Sequence, residues 1–567
     1  MTEQRDSIPG NKYDWRDDWL LALAALIAVV LLLGCSASLL NTQFYKTYSP
    51  FFDSAAYHHY LATVVGVFEE RGTLEGLNYA LGSTTAPLPG LEAIALARLG
   101  LVHSPVPRLL GIQLQLIWIL VLAGLLFFYW FGFRRVSAWV AVALSLPFIM
   151  FTGLFHFNGG LMDFRLDLSL YIFFSITVVC YLMTEHIDSY GIWIGMGFAA
   201  AFACLTRATA PVYLVVALGP PWVARMWFAS DRAKLLKQTF AMLVPLCLFG
   251  LSYFAYNFNH LYYYYVVWSA DANANLPWSK SIAHFLYAWR AMGTPLATAC
   301  ILFLVLRLGE NFASLRIRQI DWKLLWIGIA PALFLTSRGA GWNPFVAMPS
   351  IFGMMLFALA PMKNPATLLR TPLTAIGLVA VTLACGWNLV EAPLRAQPEW
   401  PAQMSALRGG IDTMHADAAS KGLKEIKFTS IHLWDYHAAF IRDVLLHEYS
   451  GRSIPPGIVL PDRTSFIAFR DHDYSPATKL DWERWPGQDD AAKIAGLVAD
   501  ARANLDYLII PDDDTVTIVE KAVPHNYANL VLRRVKKGLL ESSDWKPIGE
   551  KFRISPQEAV QIYAKVR

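Results

Sequence analysis

Apolar runs long enough to cross a bilayer recur through the first two thirds of the chain, and they constrain its fold more than any other feature. A hydrocarbon core about 30 Å thick takes roughly 20 apolar residues of helix. Candidate spans fall near 18–40, 107–131, 136–153, 167–184, 190–206, 208–226, 238–257, 284–306, 323–337, 344–361 and 371–390, which makes eleven. Charge is distributed to match. Only 16% of the 567 residues are charged, against about 25% in soluble domains. Of the 90 Asp, Glu, Lys and Arg, 47 lie in the last 176 residues. The division predicted is a membrane domain over 1–391 and a soluble domain over 392–567. It excludes a disordered chain, a collagen, a coiled coil and a purely cytosolic enzyme.

Sidedness follows from the basic loops. With the N-terminus inside, Arg134-Arg135, Arg225 to Lys237, Arg307 to Lys323 and Lys363 to Arg370 all fall on the cytoplasmic side. This holds only if the apolar segment 87–100, which carries Glu92 and Arg98, lies in the membrane interface instead of crossing. The first span is preceded by Asp14, Asp17 and Asp18, so it reads as an uncleaved anchor and not as a secretory signal. The expected location is an integral membrane protein, with a bacterial inner membrane favoured, the N-terminus cytoplasmic and the C-terminal domain outside. A net charge of +4 is too small for a nucleic-acid partner. The six cysteines all lie in apolar segments and suggest neither a disulfide framework nor a zinc site.

Four stretches then face outward: about 41–106, 153–165, 257–284 and the soluble domain. Asp53 stands early in the first, followed by His58 and His59. It suits either a helix N-cap or a proton acceptor. The second outer loop ends in Asp163, Arg165 and Asp167. Asp163 and Asp167 are four apart and share a helical face, which fits a helix-start charge cluster or a pair of working carboxylates. Arg207 and Arg338 lie near the same level, where an arginine either holds a phosphate in its forked donors or snorkels to the interface. The third outer loop holds His260 among aromatics suited to an interface belt or to stacking on sugar.

In order and sidedness these residues resemble the integral-membrane glycosyltransferases of the GT-C fold, over roughly residues 15–390. The elements that match are the early outer Asp53, the interfacial helix opened by Ala86-Pro87-Leu88, the acidic second loop and the LTRATA turn at Arg207. They are similar to protein O-mannosyltransferases and to enzymes that add sugars to lipid A. The resemblance implies inverting transfer of a hexose or pentose from a polyprenyl-phosphate donor to a lipid, glycan or protein acceptor outside the cytoplasm. Asp53 inherits the part of base, with Asp163 beside it as a catalytic acidic residue. Arg207 and Arg338 would stabilise the departing phosphate, and His58, His59, Arg165, Asp167 and His260 would line the sugar or acceptor site. No cofactor is required.

A rival resemblance lies at His432-Leu433-Trp434-Asp435-Tyr436-His437, similar to the Trp-Trp-Asp-Tyr-Gly signature of oligosaccharyltransferases but with Leu433 and His437 departing from it. That reading implies a lipid-pyrophosphate donor and a divalent metal on Asp53, Asp163 and Asp167. A transporter or flippase is the non-enzymatic alternative. It is disfavoured because the suspicious charges lie at span ends and not at the bilayer midplane. In the soluble domain IKFTSIHLW and LDYLIIPDD read as strands, and YHAAFIRDVLLHEY and DDAAKIAGLVADARAN as helices, giving an α/β fold.

Overall fold

A computed structural model of the protein describes residues 15–45, 53–82, 87–100, 107–155, 160–161, 166–262, 289–310, 320–337, 348–361, 372–391, 400–430, 468–471, 490–511, 527–553 and 559–566. Among these residues the apolar runs are largely helical. In chain order these are α1 Trp15–Tyr45, α2 Asp53–Arg71, α3 Thr73–Leu81, α4 Pro87–Arg98, α5 Pro107–Phe128, α6 Ala138–Ser145, α7 Leu166–Met183, α8 Tyr190–Thr206 and α9 Ala210–Phe228. They continue as α10 Arg232–Pro245, α11 Ser252–Tyr256, α12 Phe258–Tyr262, α13 Thr294–Glu310, α14 Trp322–Ser337, α15 Met348–Leu359 and α16 Pro372–Glu391. Among the described residues, five stretches are long and apolar enough to cross a membrane: Asp18–Leu39, Ile112–Phe133, Leu166–Met183, Arg232–Tyr256 and Pro372–Glu391. Five shorter apolar helices lie between them. The chain is an α-helical polytopic membrane protein followed by an α/β region.

Every residue of α7 is buried, which makes it the axis of the bundle. A helix apolar all round belongs in a core, and α7 packs against α5, α8, α9 and α15. The long Arg232–Tyr256 stretch, by contrast, is mostly exposed on the periphery. Where helices cross closely the contact residues are glycines. A Cβ on Gly353 would lie 2.5 Å from the Cα of Gly328, so α14 and α15 touch backbone to backbone.

Polar bonds knit the two ends of the bundle separately, and the ends are called inner and outer here after the sidedness expected from the sequence. At the inner end Arg134 reaches Asp321 at 3.5 Å, Lys323 pairs with Glu185, Lys234 pairs with Asp188, and the Asp321 amide donates to Pro361 O at 2.9 Å. At the outer end Thr152 donates to Asn388 Oδ1 at 2.9 Å, while Asn388 Nδ2 donates to Met150 O at 3.1 Å. Gly293 fits into that knot with a φ of 87°, and a Cβ there would strike Thr152 Oγ1 at 2.1 Å. The α4 helix is 12 residues, about 18 Å at 1.5 Å per residue, and too short to cross. It packs against α2, α3, α5 and α8. Its Gly90 takes the Tyr60 hydroxyl of α2 where a Cβ would sit at 2.4 Å.

The C-terminal region contains a five-stranded sheet in the order β2-β1-β3-β5-β4, with β1 Glu425–Ser430, β2 Ala468–Asp471, β3 Tyr507–Pro511, β4 Trp545–Arg553 and β5 Ala559–Lys565. Strands β2, β1 and β3 run parallel, and β3, β5 and β4 antiparallel. Helix α17 Trp400–Ser420 covers one face through Leu407, Ile411 and Met414 against Tyr507 and Ile509. Helices α18 Asp490–Asn504 and α19 Tyr527–Leu540 cover the other through Ala501, Val535 and Leu539 against Leu508 and Ile510. Alternate β3 residues thus serve opposite faces, as the pleat requires. The predicted helix 436–449, and the part of the first predicted strand beyond Ser430, lie outside the described residues.

Candidate active site at the outer end of the bundle

Asp167 falls in the first turn of α7, where the positive end of the helix dipole favours a carboxylate. Arg207 is the residue that ends α8, in extended conformation (φ −149°, ψ 133°), and its amide still donates to Ala203 O at 3.0 Å. Helices α7 and α8 are 18 and 17 residues long and antiparallel neighbours, so the start of one returns to the level of the other's end. The two side chains meet there, with Arg207 Nη2 2.5 Å from Asp167 Oδ1. The carboxylate is 1% exposed and the arginine 19%. The pair therefore keeps its acid buried and leaves its arginine partly exposed. Tyr213, one turn into α9, is buried within electrostatic reach of both.

A second carboxylate is drawn into the bundle from α4. Trp118 Nε1 of α5 donates to Glu92 Oε1 at 2.5 Å. Trp118 in turn packs edge-on against Phe173 of α7 and Phe202 of α8, with centroids at 4.9 and 5.6 Å. Burial pushes the Glu92 carboxyl up to about 8, against an opposing effect of the Trp118 hydrogen bond. Nearby, Gln115 Nε2 of α5 donates to Ser169 of α7 at 3.4 Å. In sequence Glu92 reads only as a charge in an interfacial helix. Its tie to Trp118 depends on how α4 lies against α5, which no spacing shows.

Of the residues singled out from the sequence, the structure brings together Asp167 and Arg207. Asp53 is the first residue of α2, His58 and His59 lie in its second turn, and His260 lies in α12; these four are placed by backbone alone. Tyr57, one turn after Asp53, packs against Leu61, Val65, Ala93 and Leu114, so the start of α2 adjoins α4 and α5. Asp163, Arg165 and Arg338 lie outside the described residues.

The metal alternative can be tested at Asp167. Its Oδ2 is buried without a hydrogen-bond partner, the kind of oxygen a cation takes. Its Oδ1, however, already holds a guanidinium. A dication on Oδ2 would sit roughly 5 Å from that charge and be repelled by about 7 kcal/mol at an effective dielectric of about 20. The residue fits a counter-ion to arginine better than a metal ligand. Among the described residues no group of three His, Cys, Asp or Glu converges.

The class these features define is a polytopic membrane protein with a charged site at one end of its bundle. No family model matches the sequence, and no curated protein matches it. Among solved structures the chain is similar to ArnT from Cupriavidus metallidurans bound to undecaprenyl phosphate, at 11% identity and a TM-score of 0.49, over 94% of this chain and 98% of that one. It is also similar to the arabinofuranosyltransferase AftD from Mycobacteria (13%, TM-score 0.43, 95% and 40% covered). A third likeness is to the Archaeoglobus fulgidus oligosaccharyltransferase (12%, TM-score 0.42, 94% and 73% covered).

Proposed function

We propose that the protein is an integral-membrane glycosyltransferase that moves a sugar from a polyprenyl-phosphate donor to a lipid, glycan or protein hydroxyl at the outer end of its bundle, with inversion. The observation that supports this most is the Asp167–Arg207 pair, a partly exposed guanidinium held by a buried acid. A lone snorkelling arginine needs no such anchor, whereas a phosphate-binding fork gains from being held in one orientation. The domain division at 391/392, a cytoplasmic N-terminus and an outer C-terminal domain belong to the same reading.

The chemistry balances with few groups. The acceptor hydroxyl oxygen forms a bond to the anomeric carbon from the face opposite the phosphate. The bond from that carbon to the phosphate oxygen breaks, and its electron pair leaves with the lipid. The donor phosphate passes from one negative charge to two, and Arg207 faces that added charge. Asp53, the first residue of α2, takes the acceptor proton as general base. Asp53→Asn protein, reconstituted in liposomes with a polyprenyl-phosphate sugar, should transfer about 10²- to 10⁴-fold more slowly than the parent. An unchanged rate in folded protein would remove Asp53 from the mechanism.

A further inference from the structure

At the inner end, away from the proposed chemistry, a cavity of about 920 Å³ opens between the α7–α8 turn, the end of α9 and the starts of α10 and α14. A proline pair shapes it. Pro220 has no N–H, so the carbonyl of Val216 lacks its helical partner, and the Trp326 indole of α14 donates to it at 3.0 Å. This bond fixes Trp326 on the wall. Trp322, Trp227 and Phe228 stand exposed beside it, and aromatic residues of this kind mark the depth of lipid headgroups.

The charges lining the cavity are mixed and balanced. Arg225, Lys234 and Lys323 face Glu185, Asp188 and Asp231. The cations keep donors to spare. Arg225 uses Nη1 and Nη2 on Thr184, at 2.7 and 2.9 Å, out of five N–H groups. Lys234 and Lys323 are each held by one carboxylate and have three N–H groups apiece. The acids keep acceptor sites in the same way, since a carboxylate offers about four. A purely anionic ligand would leave the acids opposed, and a purely cationic one the bases. A balanced lining at headgroup depth matches a ligand that carries both charges on one short linker.

We propose that this cavity is a binding site for a zwitterionic lipid headgroup, a phosphodiester joined to a primary ammonium, as in phosphatidylethanolamine. The phosphate takes the spare donors of Arg225 and Lys323. The ammonium donates to Asp188 and Glu185, and the acyl chains leave past the exposed aromatics into the bilayer. A choline headgroup has no N–H to donate to the acids, and a glycerol headgroup has no cation.

The test is native mass spectrometry of the delipidated full-length protein titrated with dioleoyl phosphatidylethanolamine, phosphatidylglycerol or phosphatidylcholine. One ethanolamine lipid should be retained about tenfold better than either of the others, the value of one charge-assisted hydrogen bond. Asp188 is 61% exposed, and Asp188→Ala should reduce the preference over phosphatidylglycerol to about twofold or less. Lys323→Ala should weaken retention of all three phospholipids. Equal retention of the three lipids by the parent protein would overturn the proposal, as would an ethanolamine preference unchanged in Asp188→Ala or undiminished retention in Lys323→Ala.

Discussion

Asp167 and Arg207 gain their meaning from each other. A pair this buried contributes little net stability, because desolvation offsets most of the attraction, but removing one partner strands the other. Arg207→Gln alone should cost about 3–5 kcal/mol, whereas the double variant Asp167→Asn/Arg207→Gln should recover most of that loss. Thermal melting in detergent measures the stability, and transfer assays should find both variants slow, since neither retains the guanidinium. A double variant no more stable than the single one would show that the two residues do not depend on each other. Glu92 offers a pH signature. Its ordinary value is 4.5 and burial raises it to about 8, so the folded state holds a proton there that the unfolded chain releases. Its contribution is therefore fully present below about pH 4.5 and is lost as pH rises through about 8. Melting temperature should fall across that window, and Glu92→Gln should flatten the fall. Both members of the first pair stand out in the sequence as charges at span ends, and the lengths of α7 and α8, 18 and 17 residues, bring them to one level. Glu92 does not stand out in that way, because its partner is chosen by tertiary packing.

Helices set the scale at which the sequence is most informative and also where it stops. Runs of about 20 apolar residues predict α1, α5, α7 and α16 because a bilayer admits little else. What they do not reveal is which helix lies at the centre, or which helices touch backbone to backbone at residues with no side chain. Gly353→Leu should destabilise the protein by about 1–3 kcal/mol or more, since its Cβ would already meet Gly328 Cα at 2.5 Å. Gly386→Ala in α16, where nothing lies within 4 Å, is the matched control and should cost nothing. Melting temperatures of the two variants decide the point, and equal losses would show that the α14–α15 crossing is not tight. In the C-terminal region β3 is plain from its apolar run, whereas β4 is not. Most of β4 is exposed in no alternating pattern, because it forms the edge of the sheet.

For the molecule as a whole, the two sets of end contacts act as an internal check on topology. Chain segments near 134, 184–188, 225–235, 320–323 and 361 are joined to one another at one end. Segments near 81 and 257, near 150–152, 292 and 388, and at 167 and 207 are joined at the other. On the proposed topology, each is the end that an alternating path through eleven crossings would require, with α2 to α4 left on the outer side. The basic residues Arg134, Arg225, Arg232, Lys234, Lys237 and Lys323 all fall in the first set, which the positive-inside rule assigns to the cytoplasm. With the proposed odd number of crossings, the chain after α16 would lie on the opposite face from its start. A reporter fused after Arg232 should be active only inside and one fused after Ser430 only outside. Matching activity at both would mean that one helix counted as a crossing does not cross. The outer site and the C-terminal domain would then stand on different sides, and a transfer reaction shared between them would be impossible.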